Sequence, residues 1–431
     1  VTAGLLQRQL GVVDDVQTTC WTGTVTEVVG LSMRVASLPL PVGASVMIRR
    51  KSGPALPGEV VGVEGDRTVV MPLGETQGIA RGDRVSAGQP LQTLRVGPSL
   101  LGRVINGLGK PVDGRGPLRD TTPRPLHGPP IEAIGRDPIS KPLATGVRAI
   151  DTMTPLGRGQ RLGVFAQPGV GKSTLLSTVT RHTAADVVVV GLVGERGREL
   201  RDFIDNALGE QGLARSVVVC STSDESPLLR VRAATAAHSV AEHFREQGLD
   251  VLLVVDSITR LAHAQRQIGL AAGEPPATKG YPPSVFAMLP RLMERCGNTP
   301  EGSITAMYAV LVEGEDPAEP IADACRGILD GHISLSDKLA QVGHYPAIDV
   351  LSSISRCSEA VTGTEHQQAR KQVLSLVAAH REVEDLINIG AYATGSNPRF
   401  DLAIAAKPAI DQLLQQGGSE QKGVADFDTA S

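Results

Sequence analysis

Between Gly23 and Val96 the chain is a succession of short runs: GTVTEVVG, LSMRVASL, ASVMIRR, GEVVGVEG, RTVVMPL and DRVSAGQPLQTLRV. β-branched residues in brief stretches, with turn residues at close spacing, predict a small β-barrel. Residues 97–139 are rich in glycine and proline (GLGKPVDGRGP, TTPRPLHGPP), which predicts an extended connector. From about Arg148 the pattern changes, and apolar runs alternate with amphipathic helical ones. The expected strands are RLGVFA (161–166), DVVVVGLV (186–193), SVVVC (216–220), DVLLVVD (250–256) and SITAMYAVLV (303–312). One helix pattern begins after Ser226-Pro227 and stops at Gly248, with Ser as cap, Pro in the first turn and Gly beyond the end. Near-continuous apolar strands are buried on both faces, so the central region reads as a parallel sheet flanked by helices, an α/β fold. Beyond about Glu359 the pattern is mostly helical (HQQARKQVLSLVAAHREVEDLINIG), and the polar end GGSEQKGVADFDTAS is expected to be disordered. We find no internal repeats. The expected domains are a barrel over 1–96, an α/β domain with its connector over 97–356, and a helical domain with a polar tail over 357–431.

Charge and composition narrow the function classes. With 431 residues, 42 Lys plus Arg and 46 Asp plus Glu, the net charge is −4. That argues against a chain-wide nucleic-acid or anionic-membrane surface while leaving room for a local basic patch. Aromatic residues are 3% of the chain, too few for stacking platforms for single strands. The five cysteines (Cys20, Cys220, Cys296, Cys325, Cys357) are scattered and lack CxxC spacing. They read as reduced thiols of a cytosolic protein rather than as a disulfide frame or zinc site. No apolar run approaches the ~20 residues of a membrane helix. The sequence starts at Val1 with no signal-like leader.

The candidate chemistry lies at the ends of the apolar strands. The first runs straight into Ala166-Gln167-Pro168-Gly169-Val170-Gly171-Lys172-Ser173-Thr174, a phosphate-binding loop pattern with Ala where Gly is commoner. Glycines let backbone N–H groups curl around phosphate oxygens, and the helix that follows points its positive end at them. Lys172 would reach the β- and γ-phosphates and the Ser173 hydroxyl would ligate Mg²⁺. Gly-rich strand-to-helix turns also occur without ligands, but GKS between a buried strand and a helix is a specific signal. Pro168 removes one N–H donor from the loop. Asp256 ends the fully apolar run VLLVVD, where ligands of open α/β sheets bind, and can hold the Mg²⁺ shell through water. A strand-end Asp can also merely cap a turn. The run VVVVGLVGERGRE (187–199) raises the same choice, because a strand made for burial ends in opposed charges that could be catalytic or simply solvated.

With these residues in place, the chain resembles the ATPases of type III export systems, flagellar and virulence-associated, which are relatives of the rotary ATP synthase catalytic subunits. The resemblance covers nearly the whole sequence. Its strongest stretches are GRGQRLGVFAQPGVGKSTLL, VVVVGLVGERGRELRDFI, LLVVDSITRLAHAQRQIGLAAGEPPATKGYPPSVFAMLPRLMER, GSITAMYAVLVEGEDPAEPIAD and RGILDGHISLSDKLAQVGHYPAIDVLSSISR. Gln167-Pro168 departs from the small residues usual there. The resemblance implies a RecA-like phosphate-loop core, an N-terminal β-barrel and a C-terminal helical domain. It implies ATP and Mg²⁺ as cofactors, with Gly169, Val170, Gly171, Lys172, Ser173 and Thr174 on the phosphates, and Ser173 and Asp256 at the metal. Glu195 matches the catalytic glutamate that polarises the attacking water. Arg196 resembles a neighbour bracing the γ-phosphate, with a salt bridge as the competing role, and Arg260 is a further candidate for that region. Tyr345 resembles the aromatic packed on adenine, with a core tyrosine as the alternative. Arg356 matches the arginine finger that enters the neighbouring subunit's site, worth roughly 10³–10⁵ in rate.

In the rotary enzymes the catalytic glutamate and its finger sit on different subunit types, whereas this chain carries both. Head-to-tail contacts between copies would then close into a homo-oligomeric ring, by resemblance a hexamer. The resemblance further implies that VEGEDPAEPIAD (312–323) faces a central channel holding a coiled-coil stalk protein, and that a stator-like regulator is a partner. The C-terminal helices would meet chaperone–cargo complexes, which are released and unfolded for export. The enzyme would be cytoplasmic, peripheral to the inner membrane at the face of the export apparatus, with no nucleic-acid partner. A catalytically silent ring subunit is disfavoured by the intact Lys172, Ser173, Glu195 and Asp256. A hexameric RNA translocase is disfavoured by a barrel without a dense basic and aromatic surface. The stretches GEPPATKGYPPSVFA and EPIADACRGILDGHI favour export over a rotary synthase subunit. GRGQR and EPPATKGYPP lean flagellar, with virulence secretion as the alternative.

Overall fold

The computed structural model describes residues 20–88, 92–312 and 319–417. Residues 313–318 of the loop 312–323, the polar end beyond Gly417 and residues 1–19 lie outside the described residues. The chain divides into two compact units. The first comprises Val1–Gln92 with Ser226–Leu228 and Gln267–Pro275. Its six strands are β1 (Thr22–Val29), β2 (Ser32–Ala36), β3 (Ser45–Arg49), β4 (Leu56–Glu64), β5 (Arg67–Pro72) and β6 (Arg84–Ala87). They close into an antiparallel barrel in the order β1-β2-β5-β4-β3-β6. Strand residues alternate between the two faces, so Val25, Val35, Val46, Ile48, Val60, Val70 and Val85 fill the interior.

The second unit contains the rest. Of the last β-like run, only Arg84–Ala87 joins the barrel. β7 (Thr93–Val96) pairs instead with β9 (Thr122–Pro125). Between them, β8 (Arg103–Asn106) adds a parallel edge strand to the main sheet, inside the segment expected to be a plain connector. Four residues with two apolar side chains among glycines carry too little periodic signal to mark a strand. β10 (Pro142–Leu143) and β11 (Leu156–Gly157) form a small antiparallel pair.

The remaining strands are β12 (Arg161–Ala166), β13 (Val187–Glu195), β14 (Ser216–Thr222), β15 (Asp250–Asp256), β16 (Gly297–Asn298), β17 (Ser303–Leu311), β18 (Gly331–Ser334) and β19 (Ile354–Ser355). The main sheet runs β19-β18-β12-β17-β15-β13-β14-β8, with β16 beside β17. The strands from β18 to β8 in that order are parallel, and β19 is an antiparallel edge. Each face feeds its own core. Val189, Val193 and Leu253 belong to one, and Val188, Val190 and Leu252 to the other. That explains why the predicted strands lack alternation. All the parallel strands therefore end at one edge, where the loops gather.

The helices used below are α1 (Arg148–Met153), α2 (Lys172–His182), α3 (Gly197–Asp202), α4 (Pro227–Arg245), α5 (Ile258–Ala271), α6 (Thr364–Asn388) and α7 (Pro398–Leu414). The expected helix after Ser226 is α4. The C-terminal pair α6 and α7 packs into the second unit, where Ile410 and Leu414 share a core with Leu175 and Val179 of α2. Among the described residues, no helix is long and apolar enough to cross a membrane.

Candidate active site

β12 delivers the phosphate-binding loop to the C-terminal edge of the sheet. Gly169 and Gly171 adopt φ of 88° and 92°, left-handed values that L side chains take at a cost. Val170 between them is buried, and Ser173 and Thr174 are exposed in the first turn of α2. The loop thus turns its backbone outward while anchoring one side chain inward, and α2 directs its N-terminal N–H groups at the same space.

Asp256 ends β15, next but one to β12 across β17. Its carboxylate is ion-paired with the Lys172 ammonium, and both side chains are nearly buried. β13 lies on the other side of β15 and carries Glu195. Gly194, with φ 70°, shifts the register at the strand's end. Its carbonyl accepts a 2.7 Å hydrogen bond from Arg260, and the Arg260 guanidinium lies 3.2 Å from the Glu195 carboxylate. Burial raises the Glu195 pKa to about 7, helped by a hydrogen bond to Glu199 and by the charge of Asp256, while Arg260 and Lys172 pull it down. Glu199, in the first turn of α3, is held below the usual carboxylate range, chiefly by that same hydrogen bond. Ser173, Glu195, Glu199, Asp256 and Phe203 line a cavity of about 160 Å³ beside the phosphate loop.

Arg196 meets Glu199 and not Glu195. Its side chain is 75% exposed and lies 3.3 Å from Glu199, so the sequence neighbour of Glu195 takes the salt-bridge role, while Arg260 stands against the glutamate. Tyr345 is 46% exposed and therefore not a core residue. A Cβ added to Gly171 would lie 3.5 Å from its ring. With Val147, Leu175, Pro346 and Gln416 it walls a slot of about 280 Å³ at the outer end of the phosphate loop.

Arg356 is exposed at the opposite end of the sheet. Its backbone N–H donates to Asp330, whose own N–H donates to Arg161 at the start of β12. The phosphate loop begins after Ala166, five strand residues further on, and at ~3.3 Å per residue the two levels are ~16 Å apart. An arginine side chain does not span that distance, so Arg356 stays outside its own chain's site.

Among the described residues there is no group of three or more His, Cys, Asp or Glu that could hold a metal ion. The Ser173 hydroxyl and the Asp256 carboxylate are oxygen donors beside the same cavity. A sparse all-oxygen set suits Mg²⁺, which keeps several waters and shares substrate phosphates.

The places of Lys172 and Ser173 at the start of α2 and of Glu195 and Asp256 at strand ends were legible in the sequence, as was the Gly pattern. Arg260 was already a candidate for this region, but its pairing with Glu195 and the seat of Gln416 at the slot were not legible, because both cross between distant elements. The spacing of Glu199 one helical turn beyond Glu195 was a usable signal.

Family comparisons agree with this architecture. Residues 146–355 match the nucleotide-binding domain of the ATP synthase alpha/beta family, 23–87 its beta-barrel domain, and 362–427 the T3SS EscN ATPase C-terminal domain. The chain is 49% identical to a flagellum-specific ATP synthase of Pseudomonas aeruginosa, covering 94% of this chain and 91% of that one. It is 52% identical to the flagellum-specific ATP synthase of Salmonella typhimurium, covering 92% and 89%. A type 3 secretion system ATPase of Xanthomonas euvesicatoria is 48% identical, covering 91% and 89%. Among solved structures, the assembled ATPase EscN from the enteropathogenic E. coli type III secretion system superposes with a TM-score of 0.87 at 40% identity, covering 92% of this chain and 96% of that one. A strand-end site of this kind, in a chain so similar along its length, makes the protein a member of the ATP synthase alpha/beta family, among its flagellar and type III secretion ATPases.

Proposed function

We propose that this chain hydrolyses ATP in a homo-oligomeric, hexameric ring and so energises type III protein export, releasing and unfolding chaperone-bound cargo. The observation that carries the proposal is the convergence of the phosphate loop, the Lys172–Asp256 pair and Glu195 on one cavity. The backbone N–H groups of residues 169–174 and the Lys172 ammonium bind the phosphates and neutralise charge that develops on the γ-phosphoryl. Ser173 and Asp256 would hold Mg²⁺, which would supply further charge neutralisation at the phosphates. Glu195, once ionised, accepts a proton from the attacking water and aims its lone pair at phosphorus. Arg260 fixes the carboxylate's orientation by binding both Glu195 and the Gly194 carbonyl, and Glu199 shares its proton. Tyr345 receives the adenine on its exposed face.

Arg356 cannot serve its own site, so a neighbouring copy supplies it. That is the physical argument for a head-to-tail ring. The assembled state of EscN, and its complex with the central stalk EscO, support the same arrangement here and a central stalk protein as partner. A stator-like regulator, chaperone–cargo complexes and a peripheral site at the cytoplasmic face of the inner membrane complete the proposal. The names of the similar proteins include more flagellar than virulence ones, which supports the flagellar system over injection. The test is ATP turnover against protein concentration. Specific activity should fall on dilution as rings dissociate, and a rate per chain unchanged by dissociation to monomers would overturn the ring.

A further inference from the structure

The slot beside Tyr345 is closed by a residue from the far end of the chain. Gln416 lies just beyond α7 and bonds to three residues in two separate segments. Its backbone N–H donates to the Tyr345 carbonyl at 2.9 Å. Its side-chain oxygen accepts from the Arg148 backbone N–H at 2.9 Å. Its side-chain nitrogen donates to the Gly146 carbonyl at 2.9 Å. Gln416 thus ties the tyrosine loop to the turn before α1, and Gln416 and Gly417 themselves line the slot.

The seat of this clip is built with care on both sides. Buried Asp151 accepts from the Thr145 N–H, the Thr145 hydroxyl and the Gly146 N–H, fixing the turn whose carbonyl receives Gln416. The Arg148 guanidinium donates to the Gln415 carbonyl. His366 bonds to the Thr152 carbonyl at 2.8 Å and Arg370 donates to the Met153 carbonyl at 2.7 Å, so α6 also grips α1. Both C-terminal helices are therefore fastened to the helix behind the slot, and one of them ends as its wall.

Among the residues lining the slot, none has a charged side chain; Val147, Leu175, Tyr345 and Pro346 are apolar or aromatic. Such a lining takes a flat, uncharged heterocycle and gives nothing to phosphate, which is met at Gly171–Ser173. We infer that Gln416 is a positioning residue for nucleotide binding, one that sets the slot's width against Tyr345 and acts on the base alone. Because the clip belongs to the C-terminal helices, whatever restrains those helices must alter ATP affinity, and ATP must alter their restraint by the same factor. The inference rests on the slot being the adenine site.

The test compares ATP with inorganic tripolyphosphate, which has the phosphates but no base, as a competitive inhibitor. Gln416→Ala should raise KM for ATP about tenfold with kcat retained, and leave the Ki of tripolyphosphate unchanged. Gln416→Glu keeps the acceptor but loses the donor to Gly146, and should raise KM by a smaller factor. Tyr345→Ala, measured in parallel, should raise KM for ATP and spare tripolyphosphate. If Tyr345→Ala behaves so and both Gln416 variants leave KM unchanged, the clip is refuted while the adenine slot stands. If Gln416→Ala weakens ATP and tripolyphosphate equally, its role is general support of the fold, and the inference is also refuted. If Tyr345→Ala has no effect on ATP, the slot is not the base site and the inference falls with it.

Discussion

Mixing two inactive variants tests the separation of Arg356 from the phosphate loop. Arg356→Ala leaves every site its Glu195 but deprives it of the neighbour's guanidinium, and should lower kcat by roughly 10³-fold or more. Glu195→Gln leaves every copy its arginine but removes the base. The strand count sets ~16 Å between the two levels of one chain, so neither defect can be repaired within a subunit. In rings assembled from an equal mixture, about one quarter of the head-to-tail contacts join an intact Glu195 to an intact Arg356. ATP turnover should therefore climb from the background of either variant alone towards about a quarter of the wild-type rate. The assay is steady-state phosphate release from co-refolded or co-expressed mixtures, with ring formation followed by light scattering. Activity in co-assembled rings no higher than the mean of the two variants would refute the spatial reasoning, as would an Arg356→Ala protein with normal kcat.

Glu195→Gln alone should bind ATP with near-normal affinity in a fluorescence titration while hydrolysis drops by at least about 10²-fold, the usual scale for a lost general base. Because Glu195 titrates at about 7 and its ionised form is the base, kcat/KM should rise with pH across about 6 to 8. The native state holds this proton more tightly than the unfolded chain, so ionisation costs stability as pH rises through about 7, and Glu195→Gln should gain in melting temperature over wild type from pH 5 to pH 8. Arg260→Ala removes the cation 3.2 Å from the carboxylate, so the acid limb of the rate profile should move to higher pH. Gly171→Ala forces an L residue to φ 92° against Tyr345, and should cost about 1–2 kcal/mol by denaturant titration as well as activity.

The fold was most legible where burial leaves the chain no choice. The runs 161–166 and 250–256 form β12 and β15 with the same bounds, since a two-sided sheet requires apolar residues at every position. β13 runs on to Glu195, past the last apolar residue, because a register shift at Gly194 keeps the backbone paired while the side chain turns charged. β8 escaped because a four-residue edge strand needs little periodicity once its neighbour exists. At the site, motif spacing marks residues held by one strand–loop–helix unit, such as Lys172 and Ser173. It carries no trace of contacts closed by tertiary packing, such as Arg260 on Glu195 or Gln416 on Tyr345. Arg196 illustrates the reverse hazard, since adjacency to Glu195 in sequence did not bring it against that carboxylate: its largely exposed side chain pairs with Glu199 instead.

The ion pair between Lys172 and Asp256 has a consequence for what the site will accept. Before any ligand arrives, the site is already electrically balanced, with both partners nearly buried. A nucleotide anion that recruits the lysine by itself leaves the Asp256 carboxylate behind without a counter-charge, a state that costs about 3–5 kcal/mol for a buried pair broken on one side. An anion that brings its own divalent cation exchanges one neutral arrangement for another. In the proposed function the pair would act as an exchange lock favouring nucleotide and cation as a matched set, and nucleotide in chelator should bind roughly 10²- to 10⁴-fold weaker than nucleotide with its cation.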